Sequence, residues 1–250
     1  PKNMDPNKKY PIIDYIYPGP QGGSVGSWSF SASHGDDEAL AALGFIVVRI
    51  EGTSNPLRSK SFHDMSYGNM AENTLPDQIA GVRQLSNMFP IDTNRVGIWG
   101  HSGGGFATAA AMFRYPDFFK VGISESGNHD NRNYEADWGE RYNGLVENSD
   151  YEAQANQNYA KNLKGKLLLA HGLLDDNVPP SNTMLVVEAL EKANKDFDLI
   201  VFPNSRHGYG EFSGYMMRRR WDYFVRNLLG AQPPHEYQLK PTGDPRNQVK

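Results

Sequence analysis

The sequence of 250 residues contains no cysteine. Without thiols the chain can form no disulfide and can build neither a thiolate zinc site nor an iron–sulfur cluster. A cysteine nucleophile is excluded for the same reason. The absence fits any compartment, so it does not locate the protein.

An excess of one charge and long apolar runs are also missing. The 25 basic and 29 acidic residues give a net charge of −4, which provides no basic field for nucleic acid or for an anionic membrane surface. The basic run Arg218–Arg220 is short and predicts a solvated helix face. No apolar stretch approaches the roughly 18 residues of a membrane-spanning helix. We therefore expect no nucleic-acid partner and no membrane partner.

Short β-rich runs alternate with helical patterns along most of the chain. The near-continuous Val, Ile and Leu content of these runs predicts strands buried on both faces, which is typical of a mostly parallel sheet. This rhythm predicts an α/β fold with a doubly wound sheet and helices on both faces. The predicted strands are Pro11–Tyr17, Gly44–Glu51, Arg95–Gly100, Val121–Ser126, Lys166–Gly172 and Phe197–Pro203, and the predicted helices are Leu75–Met88, Gly104–Arg114, Pro180–Lys195 and Tyr215–Leu229.

Three segments fall outside this alternation. Gly52–Thr74 and Gly127–Ala160 are too long for simple connections, and both follow a predicted strand. Because open α/β sheets bind ligands at the carboxyl ends of their strands, we expect these two segments to line or cover a site. The polar, Pro-rich residues 231–250 predict an extended tail.

A serine motif follows the third predicted strand. Arg95–Gly100 runs directly into Gly100-His101-Ser102-Gly103-Gly104, which matches the G-x-S-x-G pattern, and a predicted helix comes next. This context is typical of a serine held on a tight strand-to-helix turn, where small neighbours are required. The N–H of Gly103 would then point toward a developing oxyanion. The alternative is a glycine-rich turn that merely packs.

An acid and a histidine follow Ser102 in the chain order Ser…Asp…His, which is the order found in α/β-hydrolases. Asp175 and Asp176 come just after the strand Lys166–Gly172, and His207 comes just after the last strand. A serine hydroxyl needs a general base, and the base needs a carboxylate that fixes its tautomer. We expect His207 to be the base, while spacing alone does not choose between the two aspartates.

Other chemistries have little support. Glu135 and Asp137 could be a pair of catalytic carboxylates, but solvated charges in a loop are the simpler interpretation. The glycine-rich Gly22–Gly26 lacks the lysine of a phosphate-binding loop. We expect no catalytic metal and no cofactor, because metal-ligand spacing is missing around His34, His63, His129 and His235.

With these motifs the chain resembles the prolyl oligopeptidase family, and within it the catalytic domain of the dipeptidyl-peptidase-IV-like branch. The resemblance runs from about Tyr10 to Leu229. It rests on YPGP at 17–20, TLPDQIAGVRQL at 74–85, NRVGIWGHSGGG at 94–105, HGLLDDNV at 171–178 and RHGYG at 206–210.

The resemblance implies an α/β-hydrolase fold and a role for each of the site residues. Ser102 would be the nucleophile, His207 the base and Asp175 the acid, which leaves Asp176 outside the triad. The hydroxyl of Tyr17 would join the N–H of Gly103 in the oxyanion hole. The nearby Tyr15 would pack on the sheet.

A substrate pocket is implied by the same resemblance. In the branch, aromatic residues and valines form a flat box for a proline ring, and an asparagine holds a substrate carbonyl. Asn131 and Asn128 stand where the family has apolar residues, which makes the expected pocket more polar. The implied substrate-binding residues are Tyr134, Trp138, Asn177, Val178 and Asn128.

Residues 1–250 are expected to be one α/β-hydrolase catalytic domain. The chain opens on Pro1 rather than methionine, and we expect it to come from a longer protein with an N-terminal β-propeller, as in the family. The resemblance also makes a homodimer possible.

The predicted function is that of a serine peptidase. An acyl-enzyme would form at Ser102, with a preference for small or proline-like residues before the scissile bond. A carboxylesterase or deacetylase acting on a small ester is the alternative, since the same triad serves both chemistries. A binding domain that retains a hydrolase shell is the non-enzymatic alternative.

Overall fold

The computed structural model describes residues 1–25 and 35–239. The predictions that concern Gly26, His34 and the last part of the tail, residues 240–250, lie outside the described residues. Residues 231–239 contain no helix or strand. Within the described ranges no helix has the length and apolar character needed to cross a membrane.

Among the described residues, six parallel strands form one sheet, with the spatial order β2-β1-β3-β4-β5-β6. All six predicted strands are present, and the prediction of a mostly parallel sheet is confirmed. The strands are β1 (Tyr10–Tyr15), β2 (Ile46–Val48), β3 (Ile91–His101), β4 (Val121–Glu125), β5 (Lys166–Gly172) and β6 (Asp198–Phe202).

Helices follow most of the strands, because parallel neighbours need a long crossover connection, which is usually a helix. The α-helices are α1 (Asp36–Ala42), α2 (Lys60–His63), α3 (Leu75–Ser86), α4 (Gly103–Arg114), α5 (Ala136–Asn143), α6 (Tyr151–Gln154), α7 (Ser181–Lys192) and α8 (Ser213–Phe224). A π-helical turn, Val225–Leu229, extends α8, and short 3-10 turns lie at 64–66, 70–72, 131–133, 156–162 and 210–212.

The core consists of two apolar layers, one on each face of the sheet. Successive residues of a strand point to opposite faces, so Ile12 contributes to one layer and Ile13 to the other. The Ile12 layer contains α3, α4 and α7, and the Ile13 layer contains α1 and α8. This is the predicted doubly wound arrangement with helices on both faces.

The sequence-based interpretation of the basic run is wrong for one of its residues. Arg220 is 8% exposed, and its guanidinium lies 3.6 Å from the centre of the Trp99 ring. It pairs with the buried Glu125 and with Asp36. The run is therefore solvated only in part, because α8 turns its third arginine toward the sheet.

Candidate active site

Ser102, Asp175 and His207 follow the carboxyl ends of β3, β5 and β6. In a parallel sheet these ends lie along one edge, so residues far apart in the sequence meet there. The long segment 127–160 leaves the same edge after β4. The topology therefore gathers the predicted chemical residues at a single site.

Ser102 sits on a strained turn between β3 and α4. Its backbone has φ 59° and ψ −119°, a left-handed conformation that costs a non-glycine residue about 1–3 kcal/mol. Its N–H donates to the carbonyl of Glu125 at 2.8 Å. A β-carbon on Gly104 would lie 2.2 Å from the carbonyl oxygen of Ile16, and one on Gly105 would lie 2.3 Å from that of Glu125. Only glycine fits at these positions, and the turn leaves Ser102 half-buried.

Asp175, and not Asp176, lies against His207. His207 Nδ1 donates to Asp175 Oδ2 at 2.7 Å, and the Asp175 side chain has no exposed surface. Asp175 Oδ1 accepts from the backbone N–H of Asn177 at 3.0 Å and of Val178 at 2.9 Å. Asp176 is exposed and forms an ion pair with Arg206. The geometry thus separates the two aspartates that spacing left undecided.

His101 supports the ring of His207. Their ring centres are 4.5 Å apart in an edge-to-face arrangement, and His101 Nε2 donates to the carbonyl of His207 at 2.6 Å. Burial lowers the pKa of His101 to about 4, with the neighbouring His207 acting in the same direction. His101 is therefore neutral at neutral pH. Ser102 Oγ makes no hydrogen bond to His207 in the described structure, a contact that often tightens only when substrate is bound.

Tyr17 lies over the start of α4. A β-carbon on Gly103 would be 3.9 Å from the Tyr17 hydroxyl oxygen, so this hydroxyl and the Gly103 backbone share one corner of the site. Burial raises the pKa of Tyr17, which keeps its phenol protonated. Gln21 Nε2 donates to the hydroxyl at 2.9 Å, and the phenolic proton remains free to point elsewhere.

The connection 52–74 holds the turn that carries Tyr17. His63 Nε2 donates to the carbonyl of Pro20 at 2.9 Å, and Asn73 Nδ2 donates to the carbonyl of Pro18 at 2.8 Å. The backbone N–H of Tyr17 donates to Ser24 Oγ at 2.7 Å. This long segment thus packs beside the site, as its length and position predict.

The five residues of the predicted substrate pocket fall into two groups. The Tyr134 hydroxyl donates to Asn177 Oδ1 at 3.1 Å, and its ring centre is 5.6 Å from that of Trp138. These three residues are half-buried or exposed. Val178 and Asn128 are buried, and Asn128 Nδ2 donates to a neighbouring buried asparagine, Asn131, at 2.8 Å. Neither of these two presents its side chain to solvent.

Two contacts at the site were missed by sequence reasoning. Gln21 reaches the hydroxyl of Tyr17 from four residues further along the chain. His171 Nε2 lies 3.2 Å from Asp175 Oδ2, again across a spacing of four residues. The spacing was visible in the sequence, but it implies a contact only once the turn geometry is known.

Chemically, the site combines the hydroxyl of the half-buried Ser102, a histidine held by a buried carboxylate, and two N–H or O–H donors beside the serine. This set is suited to acyl transfer. Within residues 1–25 and 35–239 no group of three or more His, Asp or Glu side chains could hold a metal ion.

Known proteins resemble most of this chain. Human dipeptidyl peptidase 8 is 31% identical over 213 residues, which cover 83% of this chain and 24% of that protein. Dipeptidyl peptidase family member 1 of Caenorhabditis elegans is 29% identical over 232 residues, covering 91% of this chain and 28% of that protein. The crystal structure of Porphyromonas gingivalis dipeptidyl peptidase 4 is 31% identical with a TM-score of 0.84, covering 91% of this chain and 33% of that chain. The chain thus spans about a quarter of the length of these curated relatives.

A sequence model of one family matches residues 28–231, which is most of the chain. The match confirms the family expected from the motifs, and the structural similarity confirms the predicted α/β-hydrolase fold. The chain therefore belongs to the prolyl oligopeptidase family of serine peptidases.

Proposed function

We propose that this chain carries the catalytic site of a serine peptidase that works through an acyl-enzyme at Ser102. The observation that carries the proposal is the 2.7 Å hydrogen bond from His207 to the buried Asp175, at the same sheet edge as the strained Ser102 turn. Several similar proteins are named dipeptidyl peptidases, which supports a peptide substrate.

In the first half of the reaction, Ser102 Oγ attacks the carbonyl carbon of the scissile bond. His207 Nε2 takes the hydroxyl proton as the new C–O bond forms, and Asp175 stabilises the resulting imidazolium. The Tyr17 hydroxyl and the Gly103 N–H donate to the carbonyl oxygen, which carries the developing negative charge. The C–N bond then breaks, and the leaving amine receives the proton from His207.

The second half regenerates the enzyme. A water molecule gives a proton to His207 and attacks the acyl carbon, again with the oxyanion held by Tyr17 and Gly103. The bond to Ser102 Oγ breaks, and the serine recovers its proton from His207. The net reaction consumes one water and releases a carboxylic acid and an amine.

The open aromatic side of the site suits a small or proline-like residue before the scissile bond. The rings of Tyr134 and Trp138 meet edge to face, and together they offer an apolar aromatic corner against which a pyrrolidine ring can pack. Asn177 accepts from Tyr134 through Oδ1, so its Nδ2 is available to donate to a substrate carbonyl. Val178 is buried, so it would support the pocket by packing behind the residues that contact the substrate.

A carboxylesterase or deacetylase remains the second candidate function. The observation that favours it is the polar, buried pair Asn128–Asn131 in the segment that follows β4, where the resemblance implies apolar side chains suited to proline. The two amides hydrogen-bond to each other, which reduces their polarity toward a ligand. We therefore rank peptide substrates first.

The test compares three substrates in parallel: an Xaa-Pro anilide, an Xaa-Ala anilide and a short-chain aryl ester. Ser102→Ala in the intact protein is the control, and fluorophosphonate labelling of Ser102 reports on the nucleophile separately. We expect turnover of the anilides, abolished in Ser102→Ala. The ratio of kcat/KM for the Pro and Ala anilides then measures what Tyr134 and Trp138 select.

Two other outcomes would change the proposal. Cleavage of the ester alone, again lost in Ser102→Ala, would leave the triad in place but move the substrate class to esters. A folded protein that neither turns over any substrate nor reacts with the fluorophosphonate would favour a binding domain.

A further inference from the structure

The carboxylate of Asp175 is enclosed on every side by donors. Oδ1 accepts two backbone N–H groups, from Asn177 and Val178. Oδ2 accepts from His207 Nδ1 at 2.7 Å, and His171 Nε2 lies 3.2 Å from the same oxygen. Two imidazoles therefore flank one carboxylate oxygen, whereas the mechanism above uses only one of them.

The neighbours of His171 fix its tautomer. Nε2 faces the carbonyl oxygen of Val178 at 3.0 Å as well as Asp175 Oδ2, and neither of these acceptors can donate. Nε2 must therefore carry the proton, and Nδ1 accepts the hydroxyl of Thr183 at 2.7 Å. Burial lowers the pKa of His171, so the ring acts as a neutral donor at neutral pH.

The titratable groups packed around Asp175 and its two histidines leave His171 as a neutral donor. Two of these groups, His129 and His101, are neutral histidines, because burial lowers their pKa values to about 3 and about 4. Arg220 also faces this region, and its charge is paired with Glu125. The titratable side chains that face the cluster from the surrounding elements are His101, His129, Tyr134, His207, Tyr209, Glu125 and Arg220.

We propose that His171 is a positioning residue for the triad: its Nε2–H holds Asp175 Oδ2 and the Val178 carbonyl in one arrangement and shares the carboxylate charge with His207. This inference rests on the proposed function, because it presumes that His207 is the general base. His171 touches neither the substrate nor Ser102, and it acts through Asp175.

Loss of this donor has two consequences of different kinds. The Asp175 turn loses a tether, and small displacements of a catalytic group reduce rates by up to about 100-fold. In addition, a carboxylate with one donor fewer places more of its charge on His207 and stabilises the imidazolium more strongly. Since the base must be neutral to accept the serine proton, activity then begins at a higher pH.

The experiment measures the rate of fluorophosphonate reaction at Ser102 in the intact protein as a function of pH, from about pH 5 to about pH 9. In His171→Leu we expect a rate at least about tenfold lower than in the wild type. The acidic limb of the pH–rate profile, which is the part where the rate rises with pH, should move upward by about half a pH unit or more. His171→Gln keeps an N–H donor toward the same two acceptors, so it should recover most of the rate and the wild-type limb. With a substrate that turns over, kcat should fall while KM changes little.

Gln154→Leu is the matched structural control. Gln154 is buried and bonds the backbone of Met70 and Gly68 at 2.8 and 3.0 Å, outside the Asp175 cluster. We expect it to lower the thermal midpoint, as His171→Leu does, without moving the acidic limb. Thermal unfolding of each variant shows that the folded protein is being compared.

The possible results separate the two proposals. A wild-type protein that does not react with the fluorophosphonate overturns the proposed function, and this inference falls with it. A wild-type protein that reacts, with His171→Leu folded and showing the same rate and limb, overturns the inference alone. So does a shift of the limb in Gln154→Leu as large as that in His171→Leu. If His171→Leu does not fold, His171→Gln decides, because a folded Gln variant with less than a tenth of the wild-type rate contradicts the proposed donor role.

Discussion

Two adjacent aspartates have different surroundings, which predicts very different effects of the same substitution. Asp175 is buried against His207, whereas Asp176 is exposed and pairs with Arg206. Asp175→Asn should lower kcat by about 10⁴-fold, because an amide at this position favours the wrong tautomer of the base. Asp176→Asn should change kcat less than about threefold, since its exposed carboxylate pairs with Arg206 rather than with His207 and a surface ion pair has little effect. Steady-state kinetics of the two variants check this, and equal losses would contradict the assignment of Asp175.

Asp14 is a second buried aspartate, and its effect should be on stability rather than on activity. It lies within β1, and neither of its carboxylate oxygens has a hydrogen-bond partner among the described residues. Burial raises the pKa of Asp14 from 3.8 to about 8. Between these values the folded state holds a proton that the unfolded state releases, so the free energy of unfolding falls as the pH rises through this window.

Replacement of this carboxyl group should remove the pH dependence. In the wild type, the free energy of unfolding should fall by on the order of 1.4 kcal/mol per pH unit inside the window, and this slope should be absent in Asp14→Asn. Near pH 8 the variant should be more stable than the wild type. Urea unfolding at a series of pH values between 4 and 8 measures the slope. Asp196→Asn, at an exposed position, is the control. If the wild type and Asp14→Asn have parallel profiles, Asp14 does not bind the proton.

At the scale of elements, the junction of β3 and α4 depends on close contact between backbones. A β-carbon on Gly104 would lie 2.2 Å from the carbonyl oxygen of Ile16, the residue that follows β1. This oxygen belongs to the backbone, so it cannot move aside as a flexible side chain could. Gly104→Ala should therefore lower the free energy of unfolding by about 2 kcal/mol or more and slow fluorophosphonate labelling. Gly214→Ala in α8 meets nothing within 4 Å and should be neutral or stabilising by up to about 1 kcal/mol. Chemical unfolding of the two variants tests this, and equal stabilities would show that the junction tolerates a side chain.

The same junction shows what the sequence could predict about the elements. The strand, the glycine-rich turn and the helix are local, so the pattern around Ser102 was sufficient to place them. The helix Asp36–Ala42 was not predicted, because its seven residues span barely two turns and give too short a window for helical periodicity to show. Contacts such as His171 with Asp175 and Arg220 with Glu125 depend on how separate strand ends and helices meet, which no local pattern specifies.

At the scale of the whole molecule, one buried cation joins three parts of the fold. Arg220 of α8 donates through Nε to Glu125 at the end of β4 at 2.8 Å, pairs with Asp36 at the start of α1, and stacks on Trp99 of β3. Glu125 also accepts the N–H of Ser102 through its carbonyl. The ion pairs therefore fix the packing of the outer helices to the strand end that supports Ser102.

Removal of this cation should cost far more than removal of an exposed one. Arg220→Met would leave Glu125 buried without its cation, and breaking a buried pair in this way typically costs about 3–5 kcal/mol. Burial already raises the pKa of Glu125 above its ordinary value of 4.5, and Arg220 opposes this effect. Without the arginine, the loss in stability should therefore grow as the pH rises above that ordinary value. Lys192→Met removes an exposed partner of Glu188 and should change stability by less than about 1 kcal/mol. Urea unfolding at pH 6 and pH 8 compares the two variants.

A pH-independent loss below about 1 kcal/mol in Arg220→Met would mean that Glu125 is protonated in the folded protein, and that packing on Trp99 rather than charge holds α8 to the sheet.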